Sequence, residues 1–285
     1  MTLLVLKLGG SVRDPEALLQ DVAETVAAGA TRVVLVHGAS RDLDELSTRL
    51  GYPPRMVESG RGDVTRFTDS TTMDHFLMAY AGLANKRIVE RLRQLGANAA
   101  GLSGLDGGIV SGRRRADLRV VENGRPRVLH GNHVGGIERV DTGLLRTLLE
   151  REYLPVLTPP IAAEDGTAIN VDGDRLAAEV AIALDAGALF IFADTPGILR
   201  DPADESSLLR VIDSDNVAAL GLSGRVRPKL QAALRASAHG VADVRIAGGR
   251  GPRPLSAALG GAGTSVRGDA GARRLGRVPG QVHVV

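Results

Sequence analysis

The chain has 285 residues, 44% of them hydrophobic and 24% charged, with a formal net charge of +2 at pH 7. That is enough for a large core in one domain or two lobes. With no cysteine and only 2% aromatic residues, it excludes disulfides, thiolate metal sites and a cysteine nucleophile, and it gives no base-stacking platform for nucleic acid.

The chain opens on Leu3-Leu4-Val5-Leu6-Lys7-Leu8, a short apolar run that predicts a buried strand, followed by a turn at Gly9-Gly10-Ser11. This opening lacks the basic region and cleavage site of a signal peptide, and no apolar run approaches the roughly 18 residues of a membrane span. A cytoplasmic protein is the expectation. Asp14-Pro15 has the form of a helix start, with Asp14 as N-cap and Pro15 at the first helical position. Apolar residues at 18, 19, 22 and 26 continue one helical face to Gly29. Val33–Val36 predicts a second strand ending at His37-Gly38, with a helix over 42–50.

Residues 51–68 read as a loop and 70–95 as helical, capped by Asp69 or Ser70. A strand is expected at 97–102. From 108 to 140 the pattern shortens to β segments, and Asn123-Gly124 predicts a two-residue hairpin turn. Then come a helix at 142–151, a strand at 154–157, a helix at 173–186 and a buried strand over 188–193. Helices at 214–220, 227–239 and 252–259 and a strand at 242–247 complete the pattern. Strands alternating with helices predict a parallel sheet covered by helices. The expected division is an N-terminal lobe over 1–175, a C-terminal lobe over 176–266 and a loose arginine- and glycine-rich tail over 267–285.

Only three of the 35 basic residues are lysines: Lys7, Lys86 and Lys229. Wherever either cation would serve, this chain uses arginine, so a retained lysine marks a site that needs a compact ammonium. Lys86 is expected to have a structural role, covering apolar surface with its stem. Lys7 precedes a double glycine at the carboxyl end of a strand, where glycines let the backbone approach an anion. The same residues also suit an ordinary turn. His37-Gly38-Ala39-Ser40 offers a second such turn. In Asn170-Val171-Asp172-Gly173-Asp174 the polar residues either cap a helix or present an amide and a carboxylate to a ligand.

Taken in order, Lys7-Leu-Gly-Gly, His37-Gly38, Arg66-Phe-Thr-Asp, Asn170-Val-Asp-Gly-Asp174, Ala193-Asp194-Thr-Pro-Gly197 and Gly224-Arg-Val-Arg-Pro-Lys229 resemble the amino acid kinase family. The resemblance is to its acetylglutamate kinase branch, over about residues 2–266. Gly101-Leu-Ser-Gly-Leu-Asp-Gly107, Gly112-Arg-Arg-Arg115, Val121-Glu-Asn-Gly124 and the run Tyr153–Pro160 are similar to members that act on aminoadipate held by an amino-group carrier protein. The resemblance implies a three-layer α/β/α sandwich around a mainly parallel sheet, with a β-hairpin excursion. It implies transfer of phosphate from ATP, accompanied by Mg²⁺, to the distal carboxylate of an aminoadipate- or glutamate-like group on an acidic carrier protein. The alternative acceptor is free acetylglutamate. A homodimer is the family expectation.

The resemblance also implies residue roles. Lys7 and Lys229 lie on the transferring phosphoryl group, and Asp174 orients them. Gly9 and Gly10 give backbone donors to phosphate, and Asp194 and Gly197 belong to the ATP site. Arg66 grips the α-carboxylate of the acceptor, with Gly38, Ala39 and Asn170 as further substrate contacts. Ala39 stands where the family usually has glycine. Arg113, Arg114 and Arg115, in a basic stretch over 112–127, are expected to meet the carrier protein.

Overall fold

The computed structural model describes residues 1–269, apart from 11, 13, 60–63, 123, 221–223 and 225. Eight strands form one sheet in the order Val211–Asp213, Thr264–Arg267, Asp243–Gly248, Ala188–Ala193, Thr2–Leu8, Thr31–His37, Leu154–Thr158 and Ala99–Ser103. The six strands from Asp243–Gly248 to Ala99–Ser103 run parallel. Thr264–Arg267 runs antiparallel to its neighbour Asp243–Gly248.

Period-two alternation sends side chains of the first strand to two cores. Leu4, Leu6 and Leu8 join Leu18, Val22, Leu92 and Leu255 on one face, under the helices Glu16–Ala27, Asn85–Gln94 and Pro254–Leu259. Val5 joins Leu145, Leu176, Val180 and Ala233 on the other, under Gly143–Glu150, Gly173–Ala183 and Val226–Ala238. The three layers expected of the chain are present, and Lys7 shares the Val5 face.

Two four-stranded sheets carry the excursion. One orders Ala168–Ile169, Ile161–Ala162, Val110–Arg114 and Gly135–Val140; the other orders Val64–Arg66, Met56–Ser59, Leu118–Glu122 and Arg125–Leu129. Glu122 pairs with Arg125 across a two-residue turn in which Gly124 has φ 74°. Asn123, the other half of the expected turn, lies outside the described residues.

Several boundaries move. Residues 51–68 are not a plain loop, because Met56–Ser59 and Val64–Arg66 pair antiparallel. Pro15 rather than Asp14 is the N-cap of the first helix, and Asp14 Oδ1 accepts from Glu16 N at 3.1 Å. Residues 77–84 are wound as π-helix between two α-helical segments. The helix expected over 214–220 is a 3-10 turn at Val217–Leu220. The expected lobe boundary falls within the continuous helix Gly173–Ala183. Arg267, the first residue of the expected tail, ends a strand paired with Asp213, and residues from 270 lie outside the described set. Among the described residues no helix is long and apolar enough to cross a membrane.

Candidate active site

From the first strand the chain steps to Thr31–His37 on one side and later returns to Ala188–Ala193 on the other. Such a reversal of strand order leaves a crevice at the carboxyl ends. Lys7 and the Gly9-Gly10 turn stand there, beside Gly38 after Thr31–His37 and Asp194 after Ala188–Ala193.

Lys7 Nζ lies 2.6 Å from Asp174 Oδ1, and Lys229 Nζ donates to Asp174 Oδ2 at 2.9 Å. All three side chains are nearly buried, at 8%, 10% and 16% exposure for Lys7, Asp174 and Lys229. Burial alone would raise the Asp174 carboxyl. The two ammonium groups outweigh it and bring the pKa from 3.8 down to about 2. Lys229 is lowered from its usual range, first by burial and then by the charge of Lys7, with Asp174 opposing. Two cations thus share one nearly buried carboxylate, and Asp172 is close enough to act on Lys229 as well. Such an arrangement is chemically suited to hold an anionic group.

The polar residues of the Asn170–Asp174 motif take different partners. Asp172 caps the helix, accepting from Arg175 N at 2.8 Å, and Asp174 turns from the first helical turn to the lysines. Asn170 Nδ2 donates weakly to Thr68 Oγ1 at 3.4 Å, while its backbone bonds to His133 and Gly135. Arg66 ends the strand Val64–Arg66, half-buried, and pairs with Asp44 from the helix Ser40–Arg49.

The glycine turns are packed back to back. A Cβ on Gly10 would lie 3.1 Å from Ser40 Oγ and 3.3 Å from Ser40 N. Gly9 N donates to Phe192 O at 3.1 Å and Gly38 N to Leu8 O at 3.2 Å. The Ala39 N–H lies on the hydroxyl of Tyr80, whose pKa burial pushes up to about 12. These three amides are therefore engaged within the chain, and serving an anion would require those contacts to be exchanged.

Asp194 Oδ1 lies 3.4 Å from Arg250 Nη2. Gly197 sits where a Cβ would come within 2.6 Å of both Leu208 Cδ1 and Thr264 Oγ1, so only glycine lets this loop close on the strand Thr264–Arg267.

The arginine cluster is split. Arg113 and Arg114 end the strand Val110–Arg114, in a different sheet from the hairpin that carries Arg119, Arg125 and Arg127. Arg113 Nε lies 3.2 Å from both Glu138 and Glu164. Arg114 Nε donates to Asn132 O at 2.8 Å. Arg113 and Arg115 line a cleft of about 440 Å³ with Gly135, Gly136, Asp172 and Arg175.

A buried network behind the Gly38 turn was not expected. Asn85 Nδ2 donates to Val156 O at 2.9 Å and to His37 Nε2 at 3.1 Å, and Thr158 Oγ1 donates to His37 O at 3.1 Å. Lys86 joins it, donating to Asn85 Oδ1 at 3.2 Å and Gly101 O at 3.3 Å, a structural role as expected.

The profile described as the Amino acid kinase family matches residues 2–248. The chain is 46% identical over 269 residues to a LysW-aminoadipate kinase of Deinococcus radiodurans, covering 93% of this chain and 92% of that protein. It is 37% identical over 262 residues to an acetylglutamate kinase of Prochlorococcus marinus, covering 88% of this chain and 79% of that one. Among solved structures, smu.665 from Streptococcus mutans has a similar fold, with TM-score 0.74 at 22% identity over 94% of this chain and 99% of the other.

Proposed function

The chain belongs to the amino acid kinase family, and from that premise we propose that it moves the γ-phosphoryl group of ATP to a side-chain carboxylate held on an acidic amino-group carrier protein. The acceptor is an aminoadipate- or glutamate-like group and the product an acyl phosphate. The observation that carries this reading is the convergence of Lys7 and Lys229 on Asp174 at the crevice. The 46% identical relative, by its name a LysW-aminoadipate kinase, supports the acceptor.

The carboxylate oxygen forms a bond to the γ-phosphorus as the bond from phosphorus to the β–γ bridging oxygen breaks, and ADP leaves. A carboxylate is already ionised at pH 7, so no general base is needed. Charge spreads over the transferring group, and catalysis is positioning plus charge stabilisation. In this reading Lys7 and Lys229 supply the charge and Asp174 aims them. Gly10 offers an amide to phosphate, and Gly9 shapes the turn. Asp194 and Gly197 border the nucleotide, on the 176–266 side. Arg66, aimed by Asp44, takes the α-carboxylate of the acceptor, with Asn170, Gly38 and Ala39 around it on the 1–175 side. Both Asp174 oxygens are engaged by ammonium groups, so this carboxylate does not fit a protein-held Mg²⁺. The ion belongs instead on the nucleotide phosphates, where it neutralises charge. Arg113, Arg114 and Arg115 face the carrier, in a cytoplasmic homodimer.

One observation favours a second reading. Glu138 and Glu164 already flank Arg113, which weakens the attraction this cluster would exert on an acidic partner. The enzyme would then be an acetylglutamate kinase acting on the free small molecule. The test compares acetylglutamate, carrier-linked glutamate and carrier-linked aminoadipate with ATP, using hydroxylamine to trap acyl phosphate. Hydroxamate only from a carrier-linked acceptor is the expected result. Hydroxamate from free acetylglutamate would replace the first reading with the second.

A further inference from the structure

Two buried ion pairs cross one helix–helix interface. The helices Gly173–Ala183 and Val226–Ala238 share a core on the Lys7 face of the sheet. Asp174 and Lys229 form one rung at 2.9 Å. Five residues along the first helix and six along the second, Glu179 Oε1 accepts from Arg235 Nε at 2.6 Å. At about 1.5 Å per residue the two rungs lie roughly 8 Å apart. The Glu179 side chain is 0% exposed and that of Arg235 21%. Arg175 Nε reaches the same Glu179 oxygen at 2.5 Å, which ties the second rung back to the residue beside Asp174.

The apolar part of this core is rich in small side chains: Ala177, Ala178 and Ala181 from one helix, Ala232, Ala233 and Ala236 from the other. Small side chains allow close approach but interlock weakly, so they fix neither slide nor rotation well. A buried ion pair adds little net stability, because desolvation offsets its attraction, but it demands one geometry.

We infer that the Glu179–Arg235 pair, braced by Arg175, is a positioning device that holds the helix of Lys229 in register with the helix of Asp174. It keeps the Lys229 ammonium over the transfer site when a phosphoryl group draws it from Asp174. The inference rests on the reading of Lys7 and Lys229 as phosphoryl-binding cations. Glu179 and Arg235 act through Lys229.

The test is the Glu179→Met/Arg235→Met double variant, which removes both buried members of the rung and leaves Arg175, at 38% exposure, to turn to solvent. The expected result is a native circular dichroism spectrum and a melting temperature within a few degrees of wild type. KM for ATP and acceptor stays within about threefold while kcat falls roughly ten- to hundredfold, the scale of a misplaced catalytic group. Arg235→Lys, which keeps a cation opposite Glu179, recovers most of kcat. With three lysines in the chain, ¹³C-lysine labelling gives three ε-methylene signals. That of Lys229 shifts in the double variant and that of Lys86 does not. Wild-type kcat in the folded double variant overturns the inference, as does an unmoved Lys229 signal. If the double variant does not fold, Arg235→Gln is read against Arg235→Lys, and equal, wild-type kcat in both overturns it. If the wild-type enzyme phosphorylates no acyl acceptor, the functional reading fails, and the Lys229 signal still decides the positioning role.

Discussion

Lowering the pH from 7 to 4.5 is expected to cost this fold stability through His37. The ring is fully buried, its Nε2 accepts from Asn85 Nδ2 at 3.1 Å, and its Nδ1 faces Gly38 O at 3.4 Å. A second proton would set Nε2–H against the Asn85 amide. That amide cannot turn away without giving up its bonds to Val156 O and Lys86 Nζ. Burial, opposed by the Gly38 carbonyl and helped by the charges of Lys7 and Lys86, lowers the pKa from 6.5 to about 4. The unfolded chain therefore takes a proton below about pH 6.5 and the folded chain only near pH 4. Stability falls with pH through that window and levels off below it. The full shift corresponds to about 3 kcal/mol, of which roughly 2 kcal/mol is lost between pH 7 and 4.5. Urea unfolding of wild type and His37→Gln at both pH values isolates the effect, because the other titrating groups cancel in the comparison. Glutamine can still accept from Asn85 but does not titrate, so the variant should lose about 2 kcal/mol less on acidification. Equal losses in the two proteins would refute the argument.

Three further outcomes are expected. Asp174→Asn should destabilise the fold at pH 7 by about 2 kcal/mol, the equivalent of holding a carboxyl near 2 instead of 3.8. The depressed pKa makes this stabilisation present above pH 3.8 and lost as pH falls toward 2, so the gap between wild type and variant should close there in denaturant titrations; a constant gap would rule the cause out. Gly101→Ala places a Cβ 2.1 Å from Asn85 Oδ1 and 2.8 Å from Lys86 Nζ, so thermal unfolding should show a loss of about 1–3 kcal/mol. An unchanged melting temperature would mean that the network yields. Arg113→Glu/Arg115→Glu should raise KM for a carrier-linked acceptor about tenfold at low salt and far less at high salt, with KM for a free acyl amino acid unchanged. A rise in both KM values would move these arginines from carrier contact to the acceptor pocket.

What could be read in the sequence was whatever depends on neighbours along the chain. The apolar runs at 3–8 and 188–193 belong to strands buried on both faces, and they stand out without any knowledge of partners. Lys7 and Lys229 stood out because arginine elsewhere made lysine rare, and the structure brings both to one carboxylate. The strands Met56–Ser59 and Val64–Arg66 did not stand out, since Met56 and Val64 are exposed and leave no clean alternation to detect. The remaining misses share a cause, which is sequence distance. Arg113 reads as a free cation until Glu164, 51 residues on, is folded beside it. Asn85 looks like any polar residue near the middle of a long helix until His37 and Val156, 48 and 71 residues away, meet its amide. Glu179 did carry a local trace, because it is an acid within the apolar run Leu176–Ile182. A charge at such a position has to find an opposite charge or be expelled to solvent. Its partner Arg235 lies 56 residues away, on the same helix as Lys229. Only the fold shows that the acid and its arginine span the interface between the helix of Asp174 and the helix of Lys229.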